Sequence, residues 1–388
     1  MRSHSVLGLF AGIGGLELGL HQAGLTGPTQ LYECWSSAQS VLVEWFPQAE
    51  LHDDVLALED LGDADVVTAG FPCTDLSQAG RTAGLQGSAS GLIRHVLELL
   101  QSSRPEWLLV ENVPNMLRLG RGSAIREITR ALEAVGYDWA YRTIDSRSFG
   151  LPQRRKRVYL LASAVHDPAA VLFREDDPSE EPDGGAEGAS HDSAYGFYWT
   201  EGNRGVGWAR DAVPTLKGST TVSIPSPPAI WVVDDEPGRR IVRPSIEAAE
   251  VLQGFPAGWT AKAPTRDRWK LVGNAVSVPV AKWIGEGLLT GDDFPADGYA
   301  KAPRLTGTVW PQAACHVDGK SWDVAVSEWP RSPTTSYVHL VNVLEQHGSE
   351  ALSHRATRGF RDRLRRSSLK YEPAFMAALD EHVSLTRS

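Results

Sequence analysis

Apolar and polar positions fall into two alternating rhythms over the first 163 residues. Short, almost unbroken apolar runs occur at SVLGLF (5–10), LYECW (31–35), DVVTAGF (65–71), EWLLVENV (106–113) and RVYLLAS (157–163). Runs of this length and density predict strands buried on both faces. Between them, LELGLHQAGL after AGIGG, the stretch Ser36–Trp45, and residues 92–101 and 123–135 space their apolar side chains as helices do. Strands alternating with helices predict a mainly parallel α/β sheet covered on both faces. Regularity ends near Ala164, and from there to about Arg243 the chain reads as loop-rich, with Gly, Pro and scattered Trp. A helix resumes at PSIEAAEVLQ (244–253), closed by Gly254, and another starts near Val278, beyond GNAVS. After Gly291-Asp292-Asp293 comes a tail whose Trp310, Trp322 and Trp329 are expected to pack onto the body. The expected division is 1–163, completed by about 265–290; an inserted region at 164–264; and an extension at 291–388.

Composition narrows the class. At 388 residues, 42% hydrophobic and 22% charged, the chain has the make-up of a soluble globular protein. No run of eighteen apolar residues is present, and the start lacks the long apolar stretch of a secretory signal. Cys34, Cys73 and Cys315 form no CxxC pair, so neither a disulfide scaffold nor a structural zinc site is expected. The expectation is a cytoplasmic protein without a metal.

The net charge of −10 weighs against a polyanionic partner only until it is located. Residues 174–192 carry eight acids and one arginine and read as a mobile surface loop. Residues 142–157 carry six basic groups and one acid. Charge is segregated, and binding a polyanion depends on the local field rather than the total.

Four segments carry candidate chemistry. In LFAGIGG (Leu9–Gly15), glycines between strand and helix let backbone N–H groups approach a ligand and expose a helix N-terminus. A structural turn reads the same way, but Glu33 follows at the end of the next strand, where an acid accepts both hydroxyls of a ribose. The spacing is not GxGxxG and no phosphate-binding lysine accompanies it, which favours a nucleoside without a pyrophosphate. GFPCTDLSQAG (Gly70–Gly80) follows another strand end; Pro72 stiffens the approach to Cys73, and the polar, glycine-rich residues beyond resemble a lid. Cys34 and Cys315 have no such setting. ENVPNM (Glu111–Met116) places a carboxylate at a third strand end. QRRKR (Gln153–Arg157) runs into an apolar strand, so alternation should put Arg155 and Arg157 on one side.

Together these segments resemble the DNA (cytosine-5) methyltransferase family. Its cofactor loop is similar to LFAGIGG, its Pro-Cys nucleophile motif to GFPC, its Glu-Asn-Val motif to residues 111–113, and its Gln-x-Arg-x-Arg motif to Gln153, Arg155 and Arg157. LQGFP (252–256) and GNAVSVPVA (273–281) resemble its two closing motifs, so six segments stand in the family's order between about residues 5 and 285. Departures are Gly8 where the cofactor loop usually begins with Asp, Thr74 where Gln is common, SASG (88–91) where the lid usually holds an Arg, and Cys34 where Trp often stacks on adenine. Trp35 stands next to that position.

The resemblance implies an α/β fold: a Rossmann-like S-adenosylmethionine-dependent methyltransferase sheet with helices on both faces, a small inserted target-recognition domain and a C-terminal extension. It implies S-adenosylmethionine as cofactor, held by Phe10, Ala11, Gly12, Gly14, Gly15, Glu33, Asp54, Val55, Pro72, Asn274 and Ala275. Cys73 is expected to attack carbon-6 of cytosine, Glu111 to hydrogen-bond its N3 and amino group, and Arg157 with Arg155 to hold its O2. The partner implied is double-stranded DNA, with a cognate restriction or defence nuclease as a further one. Ser77, Gln78, Arg81, Thr215 and Leu216 are expected to contact the DNA, the last two within PTLKG (214–218). The tail segment RATRGFRDRLRRSSLK (355–370) would align Arg358, Arg361 and Arg365 on a helix, either paired within the chain or facing phosphates. Methylation of structured RNA and a non-catalytic DNA-binding role are the alternatives. Retention of Cys73, Glu111, Arg155 and Arg157 together disfavours the second.

Overall fold

The computed structural model describes residues 4–71, 88–177, 192–201, 205–218, 227–290, 301–304, 310–331 and 337–386. They divide into two compact units. One comprises Met1–Asp145, Lys156–Glu180 and Ala275–Arg331; the other comprises Ser146–Arg155, Glu181–Asn274 and Ser332–Ser388. This differs from the three-part division expected above, because the tail is shared between both units.

The first unit opens with β1 (Val6–Leu9), β2 (Thr29–Tyr32), β3 (Glu50–His52), β4 (Val66–Ala69) and β5 (Trp107–Asn112). All are parallel, in the spatial order β3-β2-β1-β4-β5. Helices α1 (Gly15–Ala23), α2 (Ser36–Trp45) and α3 (Ser88–Leu99) connect them, and α4 (Ser123–Ala134) follows β5. Each apolar run above yields a strand, although β2 ends at Tyr32 and leaves Glu33 just beyond it. In α4, Ala124, Ile125, Ile128 and Leu132 recur at helical spacing and are all buried against the sheet.

Beyond β5 the sheet changes character. β6 (Asp138–Asp145), which the sequence pattern did not reveal, is followed by β7 (Gln153–Arg154) of the second unit and by β8 (Lys156–Ser163). β8 pairs antiparallel with β5 on one side and β6 on the other. Strands Ala313–Val317, Lys320–Val324 and Lys301–Arg304 extend the sheet past β6, again antiparallel. The expectation of a mainly parallel sheet is therefore corrected: half is parallel, and the other half is antiparallel. The return from β6 to β8 is too short for the helical crossover that a parallel pairing demands.

Two features bind the tail residues of this unit to its core. Trp310 is buried against Trp139 and Tyr141 of β6, with ring centroids 6.2 and 6.0 Å away. The Arg142 guanidinium is fully buried and donates to the carbonyls of Ser327 (2.9 Å), Leu172 (3.0 Å) and Glu175 (2.7 Å), and to the Asp176 carboxylate (2.6 Å). Residues 174–177, expected to begin a mobile loop, are thus anchored. Glu175 pairs with Arg331, and Arg174 lies over the Trp283 ring. Residues 178–191 of that segment lie outside the described residues.

The stretch 164–243, expected to be loop-rich, also holds short strands in the second unit. β9 (Ala194–Phe197), β10 (Ala209–Arg210), β12 (Ala229–Val232), β13 (Ile241–Pro244) and residues Ser349–Ala351 form an antiparallel sheet in the order β10-β9-β12-β13-(349–351). β11 (Val213–Pro214) pairs separately with β7. These strands are too short for an alternation signal, and their burial comes from the tail together with Ala248, Ala249, Leu252 and Val272. Phe197 packs on Phe360 and Phe375 of helices His354–Arg366 and Pro373–Leu385. Arg361 and Arg365 pair with Asp380, which favours the reading of that basic face as paired within the chain. At the start of this segment His339 Nδ1 meets buried Asp211 at 2.6 Å.

Helix Val278–Thr290 of the first unit packs against α1 closely enough that a Cβ at Gly19 would lie 2.4 Å from Ala281 Cβ and 2.6 Å from the Lys282 backbone nitrogen. Gly19→Leu would have to push two helices apart. It is expected to cost about 3 kcal/mol of stability, read as a lower urea midpoint at unchanged slope.

Candidate active site

The parallel strands end along one edge of the sheet, where open α/β folds bind ligands. Leu9, Tyr32, His52, Ala69 and Asn112 are the last residues of β1 to β5. The segments singled out in the sequence leave from this edge.

After β1 the chain turns through left-handed backbone at Phe10 (φ 57°), Gly12 (φ 58°) and Gly14 (φ 80°) before α1 begins at Gly15. Phe10 accepts a conformation that costs a non-glycine residue on the order of 1 kcal/mol. A Cβ at Gly14 would lie 2.4 Å from the Phe46 ring, whereas one at Gly12 would meet nothing within 4 Å among the described residues. The loop is therefore packed from below at Gly14 and open at Gly12. Ala11 N donates to the Tyr32 carbonyl (3.1 Å), which fixes the loop over the end of β2.

Glu33 ties this edge together. Its Oε2 accepts from Gly12 N (2.8 Å) and its Oε1 from Trp35 N (2.7 Å). Burial pushes its carboxyl pKa up, and the amides of Trp35, Gly12 and Cys34 pull it back. Gly12 N and Trp35 N hold the two oxygens separately, and the acceptor capacity left on the carboxylate suits a ribose hydroxyl. Asp54 lies two residues beyond β3, with Oδ1 capping Leu56 N (2.9 Å), and Val55 is buried in the core beside it. The donor set of open glycine backbone and a buried, amide-oriented carboxylate fits the nucleoside end of the expected cofactor.

Glu111, the penultimate residue of β5, is nearly buried, and Arg157 of β8 sets its Nε 3.0 Å from Glu111 Oε1. The adjacent Asn112 donates to the Phe71 carbonyl (3.3 Å), so β5 holds the backbone that leads into Pro72 and Cys73. Cys73 itself, with Pro72, Ser77, Gln78 and Arg81, lies outside the described residues.

Arg155 and Arg157, expected on one side of a single strand, belong to different units. The pleat is interrupted at Arg155, between β7 and β8. Its buried guanidinium donates to the carbonyls of Leu216 (3.2 Å) and Gly273 (3.4 Å) within the second unit. There, Gln153 donates to the Leu252 carbonyl (2.8 Å) and accepts from Leu216 N (3.0 Å). Leu216 is 2% exposed in the core, and Thr215 Oγ1 donates to the Arg154 carbonyl (2.8 Å). Both side chains expected at DNA thus have internal partners. Asn274 is exposed at the end of the second unit's last stretch before Ala275, where the first unit resumes.

One buried acid escaped the sequence reading. Glu17, in the first turn of α1, is 1% exposed and accepts from Thr68 Oγ1 of β4 (2.7 Å) through Oε1. A Cβ at Gly8 would lie 2.6 Å from that oxygen, so the carboxylate occupies space that any side chain at Gly8 would need. The available signal was an acid within the apolar stripe of LELGL.

The family described as C-5 cytosine-specific DNA methylase matches residues 4–183. A Type II methyltransferase, M2.BsuMI of Bacillus subtilis (strain 168), is 45% identical over 389 residues, covering 97% of each chain. The chain belongs to the C-5 cytosine-specific DNA methylases. A second Bacillus subtilis relative, Type II methyltransferase M.BsuFI, is 27% identical over 71% of this methylase and 70% of its own length. Among solved structures, the Dnmt2 methyltransferase of S. pombe superposes with a TM-score of 0.56 at 19% identity, over 75% of the methylase and 100% of that chain. This supports the Rossmann-like methyltransferase fold. Among the described residues no helix is long and apolar enough to cross a membrane.

Burial raises the Glu17 pKa from 4.5 to about 7, partly offset by Thr68 and its own backbone N–H. The folded methylase therefore keeps a proton that the unfolded chain gives up earlier. The associated stability is complete below about pH 4.5 and is lost as pH rises through about 7. Glu17→Gln, neutral throughout, is expected to gain on the order of 2 kcal/mol over wild type at about pH 8 relative to about pH 5. Urea unfolding at the two pH values checks this.

Proposed function

We propose that the methylase transfers a methyl group from S-adenosylmethionine to carbon-5 of cytosine in duplex DNA, through a covalent bond between Cys73 and carbon-6. The observation that carries this reading is the Glu111–Arg157 pair at the end of β5, next to the Asn112–Phe71 contact that anchors the chain entering Cys73. The first relative's description as a Type II methyltransferase supports a role as the modification arm of a restriction–modification system. Such a role suits a cytoplasmic enzyme with a cognate nuclease.

The target carbon is inaccessible within a stacked duplex, so the cytosine must leave the helix, at a cost of a few kcal/mol. The Cys73 thiolate then adds to carbon-6, and the electrons of the 5,6 double bond move to carbon-5, making it nucleophilic. Negative charge develops on the ring as this bond forms. Glu111 supports it by holding the N3 position and amino group, and Arg157 by binding the O2 oxygen as well as orienting Glu111. The bound cofactor supplies an electrophilic methyl group to carbon-5. Loss of the carbon-5 proton to a base then expels the Cys73 thiolate and restores the aromatic ring. On the cofactor side, Glu33 is suited to the ribose and the open backbone at Gly12 to the group beyond it. Arg155 serves here by joining the 216 and 273 backbones within its own unit.

Incubation with labelled S-adenosylmethionine and duplex DNA is expected to place label on cytosine carbon-5, and bisulfite sequencing of DNA from expressing cells would give the motif. Cys73→Ala is expected to abolish transfer while DNA binding persists, and duplex containing 5-fluorocytosine should trap a denaturation-resistant adduct with wild type only. Appreciable turnover by the alanine variant would remove the covalent scheme, and label entering RNA alone would move the substrate.

Glu111→Gln retains shape but loses the charge facing Arg157. It is expected to lower kcat at least a hundredfold with much less change in the Kd for DNA, measured by single-turnover kinetics and a binding titration.

A further inference from the structure

We propose that Glu17 is a positioning residue whose buried charge makes the cofactor site prefer the methyl donor, which carries a sulfonium cation, over the neutral thioether left after transfer. The proposal rests on the reading of S-adenosylmethionine as the donor and identifies what in this chain answers its charge.

Two carboxylates meet the end of β1 and the loop that follows it, Glu17 at Gly8 and Glu33 at Gly12. Neither has an ion pair among the described residues. The charged group whose field reaches Glu17 is Glu33, of the same sign. Elsewhere around Glu17, β4 contributes the Thr68 hydroxyl, β2 the Leu31 side chain and β1 the bare Gly8 backbone. The helix Val278–Thr290 meets α1 at Gly19 through Ala281 and main chain. Glu17 Oε2 is buried and accepts no hydrogen bond from another residue among those described.

A desolvated carboxylate beside a second one, with no cation to match, disfavours folding. Its charge becomes favourable when a cation arrives from outside. The donor and its product differ by one positive charge on sulfur and by one methyl group, so a buried anion is a means of separating them that shape alone lacks. A group that titrates near neutrality adds a signature: the cation's arrival should release a proton, and the preference should depend on pH.

Calorimetric titration of wild type with S-adenosylmethionine and with S-adenosylhomocysteine, between about pH 6 and pH 8.5, tests this. Groups common to both ligands cancel in the ratio of their Kd values. The ratio favouring the donor is expected to rise about five- to tenfold across this range, which corresponds to a change in the Glu17 pKa of up to one unit on binding. In Glu17→Gln it should stay flat. Thr68→Val removes the hydroxyl that favours the ionised carboxylate, and should displace the rise to higher pH while keeping its amplitude. Parallel pH slopes for both ligands in wild type, or an unchanged rise in Glu17→Gln, would overturn the proposal and leave the cofactor reading intact. Failure of wild type to bind either compound at any pH would overturn both.

Discussion

Strand β8 enters the sheet antiparallel, in the slot between β5 and β6, and the chemistry of the first unit depends on that insertion. In its register Asn112 faces Val158 and Glu111 faces Tyr159 across the β5–β8 pair. Arg157 thereby comes level with the end of β5, and its guanidinium reaches the Glu111 carboxylate. A slip of one residue would turn the arginine to the opposite face. The register is held by an eight-residue pairing with β6 on the other side, and β6 is held in turn by the buried Arg142 and by Trp310. Tail residues far beyond the matched family segment thus help to fix the geometry of Glu111.

Buried charge recurs through this unit with different solutions. Arg142 is surrounded by three carbonyls and a carboxylate, so although burial lowers its pKa to about 10 it stays protonated at neutral pH. Glu111 is matched by Arg157. Among the described residues, Glu33 is matched by backbone N–H groups, and Glu17 by a hydroxyl and its own amide. The first two arrangements neutralise charge within the fold. The last two leave it to be neutralised by protonation or by a ligand, and both lie at the glycine loop.

What could be read from the sequence follows from where each signal is local. Strands β1, β4, β5 and β8 are continuous apolar runs because both faces are covered, and such runs are visible without knowledge of their partners. β6 reads DWAYRTID, and its Arg142 is buried because distant segments supply its partners. The second unit's strands are two to four residues long, shorter than any period needs, and rely on aromatic packing from the tail. Site residues behaved in the same way. Glu33 and Glu111 were legible because strand ends are marked by adjoining loops. Glu17 was hidden because an acid in a helical stripe declares its burial only when the neighbouring strand lacks a side chain.

The contrast between Arg155 and Arg157 shows why motif spacing alone cannot assign roles. Two arginines separated by one residue share a face when the strand runs through both, but here the strand begins at Lys156. Arg155 falls in the break, and its guanidinium satisfies carbonyls at Leu216 and Gly273, backbone that strand pairing does not use. Arg157 sits within the ladder, and its side chain reaches the Glu111 carboxylate. One arginine therefore supports the chain that carries Gln153 and Thr215, while the other is placed to share charge with the ring that Glu111 is proposed to hold. Both need a guanidinium, since each spans two separate contacts that a lysine's single ammonium would meet less well.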